Sequence, residues 1–170
     1  TTFAVQTDVA GKYGQFAITS AGAWTYTATT AHNEFVANTT YTDSFTVTTA
    51  DGTAQVVRVD ITGTNDAPAL TGTAGVLAVG AEDAAYTFTA STLLAGYTDA
   101  DTATANLSAV NVTATATLSG TTTSLVVTDA GNGSYTVALP QHYNGSITLG
   151  YDVTDGTAST AVTRPVVINA

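Results

Sequence analysis

The sequence contains neither cysteine nor methionine among its 170 residues. Disulfides are therefore excluded as the covalent cross-links that many small extracellular domains use where the hydrophobic core is thin. Lysine and arginine together number 3, against 13 aspartates and glutamates, which gives a formal net charge of −10. Because phosphates and anionic lipids are bound by basic surfaces, this charge argues against nucleic acid and against an anionic membrane as partners.

Long apolar runs and helix-forming segments are also missing. No stretch approaches the roughly 18 apolar residues that a membrane-spanning helix needs, so direct membrane insertion is not expected. Runs of Glu, Lys, Leu and Arg, which build surface helices, do not occur. Threonine is instead the commonest residue. Threonine and valine favour pleated, half-buried strands because branching at Cβ restricts their side-chain rotation.

Signatures of enzymatic chemistry are scarce in the sequence. There is no cysteine nucleophile, and no serine lies in a Gly-x-Ser-x-Gly motif. His32 and His142 lie far apart and are interpreted as ordinary loop residues. No acidic pair is flanked by the aromatic wall that a sugar-cleaving cleft requires. We therefore expect that the protein is not an enzyme.

Short alternating segments recur about every ten residues and are separated by Gly, Asn and Asp turns. Residues 15–19 and 24–27 are predicted to form a hairpin, with Trp24 and Tyr26 on its core-facing side. The Asp51-Gly52 pair predicts a tight turn between two later strands. Strands at this spacing, without a helical period, indicate an all-β fold of the sandwich type.

An internal repeat indicates the domain organisation. Asp51-Gly52-Thr53-Ala54 recurs as Asp155-Gly156-Thr157-Ala158, and the offset is close to the roughly 100 residues of an immunoglobulin-like domain. The sequence therefore predicts two tandem immunoglobulin-like Greek-key β-sandwiches. The predicted boundaries are residues 1–64, a linker at 65–68, and residues 69–170. The first sandwich is shorter than one repeat and is expected to lack its N-terminal strands.

Several short motifs carry a family resemblance through their order along the chain. Those in the first part are Gly11-Lys12-Tyr13-Gly14, Gly22-Ala23-Trp24-Thr25-Tyr26-Thr27, Thr42-Asp43-Ser44-Phe45-Thr46-Val47 and Ile61-Thr62-Gly63-Thr64-Asn65-Asp66. Those in the second part are Glu82-Asp83-Ala84, Leu93-Leu94-Ala95, Thr98-Asp99-Ala100-Asp101, Gly133-Ser134-Tyr135-Thr136, Tyr143-Asn144-Gly145 and Val153-Thr154-Asp155-Gly156. The first set resembles the VCBS repeat, and the second set resembles the bacterial cadherin-like repeat.

The resemblance implies a secreted protein of the bacterial cell surface. Such repeats occur in giant RTX-type adhesins, which are exported by type I secretion and used in biofilm attachment. In that family, tandem sandwiches form extenders that calcium makes rigid, so the implied partners are neighbouring repeats of the same polypeptide. The sequence departs from cadherins in two respects. Its linker carries fewer acids, and the acidic motif expected in residues 139–145 is missing.

Acidic residues near the predicted junction are candidate calcium ligands. Calcium takes 6–8 oxygen ligands, and no single loop here supplies that many or shows the spacing of an EF-hand. Asn65 and Asp66 lie in the linker, Asp99 and Asp101 fall in the predicted B–C loop, and Asp155 falls in the predicted F–G turn. These two loops share one end of a sandwich. We therefore expect the five residues to converge on one calcium site.

Other interpretations of the acidic residues remain open. Glu82 and Asp83 fall in the predicted A–B turn at the far end of the second sandwich, where they would serve a further junction. Asp155 is also compatible with a plain turn residue, and Asn65 and Asp66 with a simple linker. The favoured function is a calcium-rigidified extender of an adhesin. The alternative is a module of such an adhesin that binds a cell-surface sugar or peptide.

Overall fold

The computed structural model describes residues 2–170 and confirms the all-β fold class. Strands account for nearly all of the regular structure. The chain divides into two compact units, which we call the first unit, residues 1–65, and the second unit, residues 66–170. In the part of the chain that the structure describes, no helix is both long and apolar enough to cross a membrane.

The described part of the first unit, residues 2–65, contains five strands in two antiparallel sheets. The strands are β1 (Gln6–Ala10), β2 (Gly14–Ile18), β3 (Trp24–Ala28), β4 (Thr40–Thr48) and β5 (Ala54–Thr62). One sheet has the order β1-β2-β3, and the other is the β4-β5 hairpin. Asp51 closes the turn of this hairpin, because its Oδ1 accepts a hydrogen bond of 3.0 Å from the Thr53 N–H.

The core of the first unit is small. It consists of Phe16, Ile18, Phe45 and Val47, and the rings of Phe16 and Phe45 stack with their centroids 4.6 Å apart. Trp24 stacks on the other side of this group, 5.9 Å from Phe16, yet it remains 49% exposed. The prediction that Trp24 faces the core is therefore only half right. Its strand β3 lies at the edge of a three-stranded sheet, and Tyr26 is the one residue of β3 that is half-buried.

The second unit contains ten strands and one short α-helix. The elements are β6 (Ala69–Leu70), β7 (Gly80–Ala81), β8 (Tyr86–Thr89), α1 (Ala90–Leu94), β9 (Tyr97–Thr98), β10 (Ser108–Leu118), β11 (Thr121–Leu125), β12 (Val127–Asp129), β13 (Ser134–Val137), β14 (Gly145–Thr154) and β15 (Ser159–Asn169). A 3₁₀ turn, Thr104–Asn106, precedes β10. The Thr89 hydroxyl begins α1 by accepting the Thr92 N–H, as an N-cap residue does.

Two sheets of the second unit enclose one core. The larger has the order β11-β10-β14-β15-β7, and the smaller has the order β12-β13-β8. The two short strands β6 and β9 form a further antiparallel pair. Alternate residues of β14 are buried, among them Ile147, Leu149, Tyr151 and Val153. This period of two is the signature of a strand with one face on the core.

Candidate metal centre

Asp99 begins a tight acidic loop directly after β9. Its Oδ1 accepts the N–H of Asp101 at 3.1 Å and the N–H of Thr102 at 2.8 Å. An aspartate that accepts backbone N–H groups two and three residues ahead folds the chain into an Asx turn. The adjacent residue of β9, Tyr97, has a buried side chain. The position of the Asp99 carboxylate is therefore fixed by its own loop and by the strand before it.

Asp155 holds the turn between β14 and β15 in the same way. Its Oδ1 accepts the N–H of Thr157 at 2.6 Å and that of Ala158 at 2.7 Å. Gly156 within this turn has φ +95°, a left-handed conformation that glycine adopts readily. Asp155 is thus a turn residue, which is one of the two roles that the sequence allows for it. Its carboxylate also belongs to a larger acidic group.

The fold brings together three carboxylates that are far apart in sequence. Asp99, Asp101 and Asp155 each offer one oxygen, and these oxygens all lie within 4.8 Å of one another. Asp99 Oδ2 and both carboxylate oxygens of Asp101 are buried, and they find no hydrogen-bond partner among residues 2–170. Burying a carboxylate oxygen without a partner is costly. Oxygen ligands of this kind fit a hard divalent cation such as calcium.

The electrostatics of the group favour an added positive charge. Burial raises the pKa of the Asp99 carboxyl above its usual value, and the neighbouring carboxyl of Asp101 raises it further. Both effects disfavour the charged form of Asp99. A bound cation would stabilise that charged form and offset the repulsion between the carboxylates.

The predicted linker ligands lie at the boundary between the units. Asn65 is the last residue of the first unit, Asp66 is the first residue of the second, and both are half-buried. Pro68 is buried, and its carbonyl accepts a hydrogen bond from the Thr160 hydroxyl of β15. The chain is therefore anchored near the start of β15 two residues after Asp66. That Asn65 and Asp66 bind the same ion remains a prediction.

Glu82 and Asp83 do not join the three-carboxylate group. The Glu82 N–H bonds the carbonyl of Asn169 at the end of β15, whereas Asp155 precedes the start of that 11-residue strand. Asp83 accepts the N–H of His142 at 2.8 Å, and its Oδ2 lies 3.1 Å from the imidazole Nδ1. These two acids lie at the opposite end of the strand, and their predicted role in a further junction remains a prediction.

The family of the chain follows from its sequence profile. Residues 64–169 match the cadherin-like domain. The chain belongs to this family. Cadherin-like domains are extracellular adhesion or structural modules and generally bind calcium. The acidic group therefore lies within the part of the chain that carries the family match.

Two similar solved structures share little sequence identity with this chain. An endo-fucoidan hydrolase of glycoside hydrolase family 107, MfFcnA4, is 17% identical with a TM-score of 0.36, and the match covers 99% of this chain and 24% of that one. A second, MfFcnA9, is 16% identical with a TM-score of 0.33, covering 100% and 28%. The chain thus spans about a quarter of the length of these proteins. No curated protein matches the sequence.

Proposed function

We propose that this chain is a calcium-binding structural module of an extracellular adhesin, with no catalytic role. One observation carries the proposal. The buried oxygens of Asp99 and Asp101 lack partners and lie beside the Asp155 carboxylate. A calcium ion held there would link the loop after β9 to the β14-β15 turn. The two connections would then be cross-linked into one end of the second unit.

The remaining predicted residues extend the same proposal along a polypeptide of tandem repeats. Asn65 and Asp66 would complete the coordination from the linker, and Glu82 and Asp83 would serve the junction with a further repeat. The VCBS-like motifs of the first unit support placement in an RTX-type adhesin of the bacterial surface. In this proposal the adhesin is exported by type I secretion and acts in biofilm attachment. The partners are then neighbouring repeats.

Calcium removal is the direct test. Extracellular calcium modules bind with dissociation constants of about 10⁻⁴–10⁻³ M. At about 10 mM calcium, binding to the folded state should therefore stabilise the second unit by about 1.4–2.7 kcal/mol. We expect calorimetry to show a higher unfolding temperature in calcium than in EGTA. Equal unfolding temperatures in the two buffers would refute the proposal.

Two matched variants locate the ion. Asp101→Asn removes a buried charge from the group and should abolish most of the calcium-dependent shift. Asp129 is the matched control, because it also closes a turn: its Oδ1 accepts the Gly131 N–H at 2.8 Å. Unlike Asp101, Asp129 is exposed, and the variant is Asp129→Asn. This control should keep the full shift. If Asp101→Asn responds to calcium as the parent does, the ion lies elsewhere.

A further inference from the structure

The connection between β3 and β4, residues 29–39, has no regular secondary structure but is packed around one ring. Phe35 is buried at its centre. The Phe35 ring stacks on Tyr41 with the centroids 3.8 Å apart and meets Tyr13 edge-on at 4.9 Å. On the loop itself, the His32 imidazole stacks on Phe35 at 4.6 Å, with an angle of 8° between the planes. The packing of the loop thus depends on where His32 is held.

Two hydrogen-bond acceptors hold the His32 ring. Nδ1 lies 2.8 Å from the Glu34 carboxylate, and Nε2 lies 2.6 Å from the Tyr13 carbonyl oxygen. A neutral imidazole carries one N–H and can satisfy only one of these acceptors, whichever tautomer it adopts. The other ring nitrogen would then turn a lone pair towards an oxygen. Only the imidazolium donates to both acceptors at once. A neutral ring with its proton on Nδ1 would instead have to accept at Nε2 from the Thr29 hydroxyl, 3.5 Å away, so the arrangement favours the protonated ring.

The charges around His32 agree with a protonated ring. The hydrogen bond to Glu34 raises the pKa of His32 above its usual value, and the bond to the Tyr13 carbonyl raises it further. Asp43 of β4 contributes a second, weaker negative charge in the same direction. The Lys12 ammonium, the nearby cation of the β1-β2 turn, lies over the Tyr13 ring, 4.8 Å from its centroid. In return, the hydrogen bond from His32 lowers the pKa of Glu34.

The other end of the loop holds the backbone where the chain leaves β5. The Asn38 N–H donates to the Gly63 carbonyl at 3.0 Å, and the Gly63 N–H donates to the Thr39 carbonyl at 2.9 Å. A Cβ on Gly63 would collide with the backbone carbonyls of Phe35 and Val36. The loop therefore packs directly against the exit of the first unit, two residues before Asn65.

We propose that His32 is a proton-dependent clamp, whose imidazolium fastens the 29–39 loop to the β1-β2 turn and thereby fixes the chain exit at Gly63. When the proton is lost, the ring loses one of its two hydrogen bonds and its attraction to Glu34, and the Tyr13 carbonyl keeps only its bonds from Thr29. The loop then opens more often, and the exit of the first unit loosens.

The sign of the pH dependence follows from linkage. A group whose pKa is higher in the folded state gives its full stabilisation below its unfolded pKa, about 6.5 for histidine. That stabilisation is lost as the pH rises through the higher folded value, and it stays lost above it. For a single proton, the equilibrium constant between the closed and the open loop then falls by at most about tenfold per pH unit.

Amide hydrogen exchange tests the clamp in the intact chain. The Asn38 and Gly63 amides should lose protection, after correction for intrinsic exchange, by up to about tenfold per pH unit above pH ~6.5. His32→Gln should expose these amides already at pH 6 and remove the pH dependence. Glu34→Gln, which leaves the ring in place, should shift the loss of protection to lower pH.

The other histidine of the chain supplies the control. His142 lies in the second unit with an exposed side chain, so His142→Gln should leave exchange of the Asn38 and Gly63 amides unchanged. The proposal is overturned if Glu34→Gln protects these amides as the parent does at every pH. It is equally overturned if the parent shows no pH dependence beyond intrinsic exchange. Should His32→Gln fail to fold, the Glu34→Gln profile decides alone.

Discussion

Asp43→Ala is expected to unfold the first unit at neutral pH while the second unit stays folded. The Asp43 side chain is only 4% exposed. Its Oδ1 accepts the Lys12 N–H at 2.8 Å, and its Oδ2 accepts the Tyr13 N–H at 3.0 Å and the Tyr26 hydroxyl at 2.7 Å. One carboxylate therefore ties β4 to the β1-β2 turn and to β3. Removing it leaves three donors without an acceptor.

The size of the effect follows from the number of donors. A fully buried donor left without a partner costs about 1–3 kcal/mol, and the three donors here are partly buried, so each costs towards the lower end of that range. Small domains have only about 5–15 kcal/mol of stability in total. With five buried apolar side chains among residues 2–65, four of them in one cluster, the first unit has little reserve. Calorimetry and backbone NMR signals should show loss of the first unit alone.

An exposed aspartate on the neighbouring strand provides the control for Asp43. Asp60 of β5 accepts hydrogen bonds from Arg58 and Thr42 at the surface, and its side chain is about half exposed. Surface ion pairs contribute about 0–1 kcal/mol, so Asp60→Ala should leave the first unit folded. If Asp43→Ala unfolds at the same temperature as Asp60→Ala, the buried carboxylate does not hold the sheets together.

The same carboxylate gives the first unit an acid limit. Burial opposes the charge on Asp43, but the hydrogen bonds from Tyr13, Tyr26 and Lys12 outweigh it and hold the pKa of Asp43 below its usual value. The stabilisation is therefore present above the unfolded pKa of about 3.9 and is lost as the pH falls through the lower folded value. Together with the opposite dependence of His32, this places maximal stability of the first unit at mildly acidic pH.

Asp43 also shows what the sequence revealed and what it concealed. Asp43, Phe45 and Val47 lie two residues apart and are buried on the same face of β4. The sequence interpretation treated Asp43 as part of the preceding connection, because residues 29–43 show no clear period, so its place on the buried face was missed. What alternation does not show is the set of partners. The donors Lys12, Tyr13 and Tyr26 come from elements some 17 to 31 residues away, and only the packing of one sheet on the other brings them together.

The two Asp-Gly turns form where their sequence predicts them. The Asp-Gly turns at Asp51 and Asp155 both lie between antiparallel strands, and both carboxylates bond backbone N–H groups two residues ahead. Sheet order was less accessible. Pro165 has no N–H to donate to a neighbouring strand, so the sequence predicts that its strand lies at a sheet edge, but β15 lies between β14 and β7. The expectation fails only at the strand end, since β7 pairs with Ile168 and Asn169 alone.

The candidate metal centre was likewise predictable only in part. Asp99 and Asp101 form an Asx turn that their spacing suggests. Their approach to Asp155 depends on how the β9 loop and the β14-β15 turn meet at one end of the sandwich. Whether the loop and the turn come close together depends on the register of the paired strands, and one β-bulge or similar irregularity shifts that register. One such irregularity interrupts the β10-β14 ladder between Val110 and Thr113.

Gly96→Ala should destabilise the second unit and weaken its calcium binding together. Gly96 follows α1 with φ +83°, and a Cβ there would collide with the backbone of Thr73. Its carbonyl also accepts the N–H groups of Thr71 and Gly72, at 3.1 and 2.9 Å. The segment after β6 therefore lies directly on the glycine. An added methyl group must push this segment away from β9, which leads into Asp99.

A second glycine separates backbone strain from this collision. Gly131 has φ +74°, but an added Cβ would meet nothing within 4 Å. Gly131→Ala should therefore cost only the roughly 1–2 kcal/mol of a left-handed backbone and leave calcium titrations unchanged. Gly96→Ala should cost more and also lower calcium affinity, because the displaced segment packs on Gly96, directly before β9, and β9 leads into Asp99. Equal losses of stability in the two variants, with equal calcium affinities, would show that the Gly96 contact does not position the acidic loop.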